Sequence, residues 1–322
     1  MEDKLPEIDV IVLSWNRAES TIDTVKNILD QINVKVNIWL IDQGSDNSQI
    51  EILREFIKSN KMVQMVEVGK NLGVPGGRNL GMKLGKSEFI VCIDNDAIFE
   101  SKQGIENVIK KFIEEENIAV IGFKIKNFFT RTLDYTSWAY AKKLIQRQDE
   151  EFLTTRFCGA GHAIRRSILK KTDFYDQALF FYWEELDLSY QMINLGYKIC
   201  YFPDIEILHK VSPEKKFLWG KKRFYYLVRN AIYLNWKYYR SVLNIFNLSI
   251  GYLIKGIHNG LFGSTFHGIL DSYKMIFRLK PLKKFILTKS AREYIYCNDI
   301  AYRGSIFSRL MNDVFTKLPA IK

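Results

Sequence analysis

Cysteine is scarce and scattered: Cys92, Cys158, Cys200 and Cys297 stand far apart, without metal-ligand spacing, and mostly within apolar stretches. That excludes a disulfide framework or a zinc cluster and predicts reduced core thiols in a cytoplasmic protein. Long hydrophobic runs are missing too. Residues 242–254 are apolar, but about 13 residues closed by Lys255 fall short of the roughly 20 that a spanning helix needs. Residues 1–7 are mostly charged or polar, and the run 8–13 is too short for a signal-peptide core, so no secretory leader is expected. The glycine-rich stretch 69–81 has neither G-x-G-x-x-G nor a following P-loop lysine, which excludes a dinucleotide fingerprint and a Walker-type phosphate loop.

Acidic residues thin out toward the carboxyl end. The formal charge is +11 and the pI about 9.3. Up to about residue 120 acids and bases are interspersed, whereas Lys215, Lys216, Lys221, Lys222, Arg223, Arg229, Lys237 and Arg240 share a stretch in which Glu214 is the only acid. Such an excess calls for an anionic partner: nucleic acid, anionic lipid headgroups or a sugar nucleotide. At 322 residues with 47% hydrophobic content, the chain can bury one large core and a smaller appendage. The division predicted is 1–212 and 213–322.

The first half alternates strand-like and helix-like segments: strands at 9–13, 35–41, 62–68 and 89–93, helices at 18–32, 46–59 and 77–84. That is a βαβ series and predicts an α/β fold with a mostly parallel sheet flanked by helices. After 118–125 the pattern loosens and 126–151 have no clear period; order returns at 156–164, followed by a short helix from Arg166, a helix at 184–195 and a strand at 198–202. From 213 on the pattern is helical, with an apolar stripe at Phe224, Leu227, Val228, Ala231, Leu234 and Tyr238 and basic residues on another side, the makings of a helix lying on a membrane surface.

In an open sheet of this kind ligands bind beyond the carboxyl ends of the strands. Asp94-Asn95-Asp96 sits there, directly after the apolar run 89–93. Two carboxylates at that position outline a site for a hard cation such as Mg2+ or Mn2+, which takes oxygen ligands and keeps positions for phosphates. The competing reading is helix capping or a solvated turn. Asp42, after another strand, matches the N3–H donor of uracil or thymine, or else ties its own turn. Arg78 could reach a ribose or diphosphate, or lie on the surface near a helix start. His209 is a third metal ligand or a structural histidine.

Read together, Ser14-Trp15-Asn16-Arg17 after the first strand, Asp42-Gln43-Gly44-Ser45-Asp46, Asn71-Leu72-Gly73 through Gly81, Asp94-Asn95-Asp96 and Trp183-Glu184-Glu185-Leu186-Asp187 resemble the ordered motifs of the family 2 inverting glycosyltransferases. The resemblance covers residues 8–210 and implies a GT-A fold, a nucleotide-sugar donor and a metal, Mn2+ or Mg2+. It implies donor contacts from Ser14, Trp15, Asn16, Arg17, Asp42, Arg78, Asp94 and Asn95, and metal ligation by Asp94 and Asp96 with His209. By motif position Glu185 is the base that takes the acceptor hydroxyl's proton, with Asp187 as the fallback. The family usually carries aspartate where Glu185 stands and often arginine where Gln191 stands. Helix-end stabilisation is the other use for Glu184, Glu185 and Asp187. His162, Trp183 and Glu184 are candidates for acceptor contact. More weakly, 223–230 resembles the extension of rhamnosyltransferase-like members that act on lipid-linked saccharides.

The implied activity is transfer of a sugar from a UDP or dTDP donor to a hydroxyl of a saccharide or lipid-linked saccharide acceptor. The setting it implies is bacterial surface polysaccharide or glycoprotein glycan synthesis, by a cytoplasmic protein peripheral to the inner face of the cell membrane and able to form oligomers. The substitutions at Glu185 and Gln191 leave a second class open, a non-catalytic nucleotide-sugar-binding partner of another transferase. A nucleic-acid-binding protein would leave Asp94 and Asp96 without a purpose.

Overall fold

The computed structural model describes residues 5–210, 220–279 and 283–305. The chain forms two compact units. The first holds residues 1–140, 144–180 and 184–212; the second holds 141–143, 181–183 and 213–322.

The first unit opens as β1 (Glu7–Ser14), α1 (Ala18–Leu29), β2 (Lys35–Asp42), α2 (Asn47–Lys58), β3 (Val63–Glu67), α3 (Gly73–Leu84) and β4 (Phe89–Ile93). Then come β5 (Ala97–Phe99), α4 (Gly104–Glu114), β6 (Ile118–Asn127), β7 (Phe152–Thr154), β8 (Gly161–Arg165), the short α5 (Arg166–Leu169), α6 (Glu184–Asn194) and β9 (Lys198–His209). The strands join in one sheet in the order β3-β2-β1-β4-β8-β6-β9-β5, with β7 also on β9. Pairing is parallel from β3 to β4 and between β6 and β9. β8 runs antiparallel to β4 and β6, and β5 and β7 run antiparallel to β9. This is an α/β GT-A fold, whose expected parallel character is concentrated in the first four strands.

The apolar alternation that marks the strands is what packs the core: Ile8, Val10 and Val12 of β1, Ile38 and Leu40 of β2, and Val91 and Ile93 of β4 are buried in one cluster. Under the sheet, Asp9 and Arg166 form a buried ion pair at 2.6 Å. Ser87 N donates to Asp9 at 2.9 Å, and Arg166 also donates to Ser87 O and Met82 O. With every partner in place, two charges can stay inside an apolar layer.

Three predicted segments differ. The third helix starts at Gly73, not at 77. Gly73 has φ +73°, and a Cβ there would stand 2.2 Å from the Phe180 carbonyl oxygen, so the helix begins where only glycine fits. The stretch 156–164, where order is expected to return, is a loop up to 160 followed by β8 from Gly161, and β7 lies ahead of it at Phe152–Thr154. The strand expected at 198–202 continues to His209: the pairing skips from Phe202 to Glu206 opposite the adjacent Phe123 and Lys124, so 203–205, which include Pro203, bulge out of the ladder.

Only Asp94, Asn95 and Asp96 separate β4 from β5 in the chain, yet β8, β6 and β9 lie between them in the sheet. The four Cα steps from Ile93 to Ala97 reach at most ~14 Å, whereas four strand spacings laid flat would take ~19 Å. The sheet therefore curls at its carboxyl ends and returns the end of β9 to the end of β4. α1 secures the returned edge: the Asn27 side chain bonds Phe99 N at 2.8 Å and Phe99 O at 3.0 Å.

In the second unit, α7 (Lys221–Tyr239), α8 (Val242–His258), α9 (Phe262–Arg278) and α10 (Lys289–Asn298) follow in sequence. Phe224, Val228, Leu234 and Tyr238 of the expected apolar stripe are buried. Buried Asn230 donates to Phe181 O and Tyr182 O, each at 2.8 Å. The basic side of α7 is only in part the free face that the sequence pattern predicts: Lys221 and Lys222 are exposed, but the other cations are engaged. Arg223 lies over Tyr182, Arg229 over Tyr226, and Lys237 is buried 4.5 Å from the Phe285 ring centroid; ring faces take up the stems and charges of these cations. Lys215 and Lys216 lie outside the described residues. No described helix is long and apolar enough to cross a membrane.

Candidate active site and metal centre

The end of β4 delivers Asp94, whose N–H donates to Ala160 O at 3.1 Å and so prolongs the ladder toward β8 by one residue. Ala97 lies opposite His209 in the β5–β9 register, and Lys210 N donates to Asp96 O at 2.7 Å. Strand pairing, not sequence proximity, thus sets His209 beside the acidic pair. One ligand atom each from Asp94, Asp96 and His209 lies within 4.8 Å of the others. Opposite ligands on an ion with bonds of ~2.1 Å stand ~4.2 Å apart, so a small contraction closes the trio round one cation. Two carboxylates and one imidazole suit Mn2+ or Mg2+ better than a thiol-seeking metal.

His209 is held from both sides. Its Nε2 is 3.3 Å from Asp96 Oδ1 and its Nδ1 is 3.2 Å from Asp134 Oδ2. Burial alone would lower the imidazole pKa, but Asp134 and Asp96 together push it up to about 10. Burial likewise opposes ionisation of Asp96, and His209 and Arg17 outweigh it and hold the carboxyl below its usual range. Arg17 Nη1 reaches Asp96 Oδ2 at 2.7 Å. Asp134 arrives because Leu133 bridges back to Lys126 at the end of β6 and Asp134 N donates to Ile125 O. Thr136 and Ser137 also donate to its carboxylate. Sequence reasoning missed Asp134: it lies in the aperiodic stretch 126–151, whose place is fixed by Trp138, Tyr140, Phe152 and Tyr201 packing as one aromatic cluster.

On the other side of Asp94 stands Arg78, 3% exposed. Its Nη1 is 3.1 Å from Glu185 Oε1 and its Nη2 is 3.3 Å from Asp94 Oδ1; Nη2 also donates to Gly159 O at 2.7 Å. The guanidinium is thus committed to two carboxylates and a carbonyl and does not lie open to a ribose or diphosphate, the contact expected from sequence. A Cβ on Gly159 would stand 2.5 Å from Glu185 Oε1, so any side chain there displaces the glutamate tip from its place beside Arg78. Where Gln191 replaces the family's arginine, its Nε2 donates to Asp187 Oδ2 at 3.0 Å and to Phe174 O at 3.1 Å.

Other predicted residues take local structural places. Asp42 is fully buried and accepts from Gly44 N, Ser45 N and Ser45 Oγ, the turn-tying alternative. Ser14 pairs with Thr21 in the interior, and Asn16 Oδ1 accepts from Asp46 N. Asn95 donates to Thr21 Oγ1 and its carbonyl accepts from Ser20, so it faces α1. Trp15 and Arg17 are exposed at the rim. Asp187 is fully buried and engaged by Gln191, which removes it as a fallback base. His162 is fully buried with Nδ1 on Cys158 O and Nε2 on Tyr175 OH, leaving no face for an acceptor. Glu184 is 3% exposed, and its Oε2 has no hydrogen-bond partner among the described residues. Burial first, then the Glu185 charge, push its carboxyl well above the usual range, so it is a neutral acid beside Glu185 and not a contact open to an acceptor. Trp183 belongs to the second unit, where its Nε1 donates to Leu227 O at 3.1 Å.

The family model described as "Glycosyl transferase family 2" matches residues 9–173. Glycosyltransferase GlyG of Streptococcus pneumoniae is 28% identical over 115 residues, 36% of this chain and 38% of that protein. Poly-beta-1,6-N-acetyl-D-glucosamine synthase of Staphylococcus aureus is 24% identical over 208 residues, 62% of this chain and 49% of that one. The chain thus spans about half or less of the length of these two relatives. Among solved structures, the mannosyltransferase PcManGT from Pyrobaculum calidifontis, in complex with GDP-Man and Mn2+, superimposes with a TM-score of 0.57 at 14% identity, covering 97% of this chain and 88% of that one; this likeness is one of fold.

Proposed function

Because the chain belongs to glycosyltransferase family 2, we propose that it is a metal-dependent inverting enzyme that moves a sugar from a UDP or dTDP donor to an acceptor hydroxyl. The observation that carries this reading is the continuity of the site: the Asp94–Asp96–His209 trio and Glu185 share one buried arginine. That the mannosyltransferase of like fold holds a nucleotide sugar with Mn2+ supports it.

Glu185 is the base that accepts the acceptor hydroxyl's proton as the oxygen attacks the anomeric carbon. Arg78 orients it and compensates its charge, since Gln191 brings no cation to this helix. Glu184, kept neutral, leaves the negative charge of this helix start on Glu185. Asp94, Asp96 and His209 would hold the cation, and Asp134 fixes the His209 ring through Nδ1, leaving Nε2 on the side of Asp96. An ion bound there would supply positive charge to a departing diphosphate in place of a proton donor. For the base of the donor, Asp42 at the end of β2 matches the N3–H of uracil or thymine once it exchanges Ser45 Oγ for that donor.

We assign residues 1–212 to catalysis and 213–322 to the acceptor and membrane side. The acceptor we propose is a saccharide or lipid-linked saccharide of bacterial surface polysaccharide or glycoprotein glycan, worked on at the cytoplasmic face of the membrane. The polysaccharide synthase among the relatives supports that choice. The test is release of nucleoside diphosphate from a panel of UDP, dTDP and GDP sugars with and without Mn2+. Turnover of a UDP or dTDP sugar that chelation abolishes is expected; turnover unaffected by chelation would refute the reading.

A further inference from the structure

Two consecutive helices of the second unit are turned inside out. On α9 the buried positions are mostly small or polar, Thr265, Gly268 and Ser272 with Ile276, while Phe262, Phe266, Leu270 and Phe277 are exposed, Phe277 by 86%. On α8 only Ile245 and Gly256 are buried, and Val242, Leu243, Phe246, Ile250, Ile254 and Ile257 are exposed. At 3.6 residues per turn the exposed apolar positions of α8 fall within an arc of about 120° and those of α9 within about 80°. The inner sides are already committed to close packing. A Cβ on Gly256 would stand 2.0 Å from Thr265 Oγ1, and one on Gly268 3.0 Å from Tyr225 O. Large apolar side chains outward and small ones inward is the reverse of a helix that faces water.

Charge says what covers these faces. Residues 220–305 carry fifteen Lys and Arg against three Asp and Glu, an excess of twelve, whereas the whole chain has an excess of eleven. All of the positive surplus therefore belongs to this unit, and Lys283, Lys284, Lys289 and Arg292 just beyond α9 are exposed. A second copy of the same unit would meet it with like charge, which costs several kcal/mol at an interface. Neither helix is long and apolar enough to cross a bilayer.

We propose that the outward faces of α8 and α9 lie in the headgroup boundary of an anionic lipid bilayer, with the surrounding lysines and arginines on the lipid phosphates. The proposal deepens the membrane-side assignment of residues 213–322 and is independent of the transfer chemistry. It also moves the contact from α7, whose cations Arg223, Arg229 and Lys237 are engaged by aromatic rings, to the helices that follow.

The test is flotation of the full chain with vesicles of phosphatidylcholine alone and of phosphatidylcholine with phosphatidylglycerol, with UDP binding in the presence of Mn2+ and oligomeric state measured on the same samples. Phe246→Glu combined with Phe266→Glu alters exposed positions only, and thermal melting confirms that the fold is kept. Expected are binding to the anionic vesicles, at least about tenfold weaker binding to neutral ones, and a loss of about tenfold or more in the double variant. Lys221→Gln with Lys222→Gln on α7 is expected to have the smaller effect. Vesicle binding by a protein that fails to bind UDP would still support this surface and count only against the transfer reading. Wild-type protein that ignores anionic vesicles, a double variant that floats like wild type, or a wild-type dimer that the double variant splits without any vesicle binding would each overturn it.

Discussion

Arg78 and Glu185, 107 positions apart in the chain, form an ion pair at 3.1 Å, and the same guanidinium reaches Asp94 at 3.3 Å. One buried cation thereby fixes the spacing between the proposed metal-holding trio and the proposed base. Lysine keeps the charge but cannot fork to two carboxylates and a carbonyl. Arg78→Lys is expected to lower kcat by about 10²-fold, the scale of a misplaced catalytic group, while Kd for UDP with Mn2+ changes little. If Kd rises as much as kcat falls, Arg78 contacts the donor after all, as its place in the glycine-rich motif first indicated.

Gly159→Ala sets a methyl 2.5 Å from Glu185 Oε1. Turnover is expected to drop by more than about tenfold with nucleotide binding retained. Unaltered steady-state kinetics would show that the Arg78–Glu185 geometry is not needed.

Asp134→Asn keeps one oxygen for Thr136 but no longer accepts as a carboxylate from His209. Outer partners of ligating histidines typically contribute 10- to 100-fold in metal affinity, and a weakening of about that size is expected for Mn2+ in calorimetric titration with UDP present. An unchanged affinity would remove His209 or its orientation from the centre.

Glu184 gives a pH test with a defined sign. Its carboxyl is held well above the ordinary value of 4.5, so the folded state binds the extra proton. The stability this contributes is full below that value and is lost as the pH rises through the folded-state pKa. Glutamine mimics the protonated acid, so Glu184→Gln is expected to melt higher than wild type by a margin that widens from acidic toward alkaline pH. A margin that narrows with pH would contradict the neutral assignment.

The buried Asp9–Arg166 pair makes the opposite kind of prediction, all stability and no chemistry. Arg166→Met leaves a carboxylate uncompensated in the core and is expected to cost about 3–5 kcal/mol in denaturant unfolding. Transfer by the protein that remains folded is expected to be unchanged. A loss below about 1 kcal/mol would mean that Asp9 finds other compensation.

The sequence made the parallel half of the fold legible because each strand there is an apolar run followed by an amphipathic helix and a short polar turn. It carried no comparable signal for β5, three residues long, or for the bulge at 203–205, which pairing with β6 creates. The same division runs through the site. Asp94, Asp96 and Glu185 stood out by motif, and His209 by its place at a strand end. Asp134 did not, because a carboxylate in an aperiodic loop acquires its role only when the end of β6 brings that loop to the histidine. Burial was the other hidden quantity: His162, Asp187 and Glu184 have the right chemistry for a cleft but are enclosed. Arg78 shows the converse: the residue singled out for a donor contact has the protein's own carboxylates as its partners.

The proposed site divides its labour between a metal-holding trio and a separate base, a division that Mn2+-dependent UDP binding and sugar transfer test most directly when measured side by side in Asp96→Ala and Glu185→Gln. Asp96→Ala is expected to lose both. Glu185→Gln is expected to bind UDP with Mn2+ within about twofold of wild type and to transfer at least about 10²-fold more slowly, within the range of general-base contributions. Equal loss of nucleotide affinity in the two variants, or transfer that survives in Glu185→Gln, would contradict it.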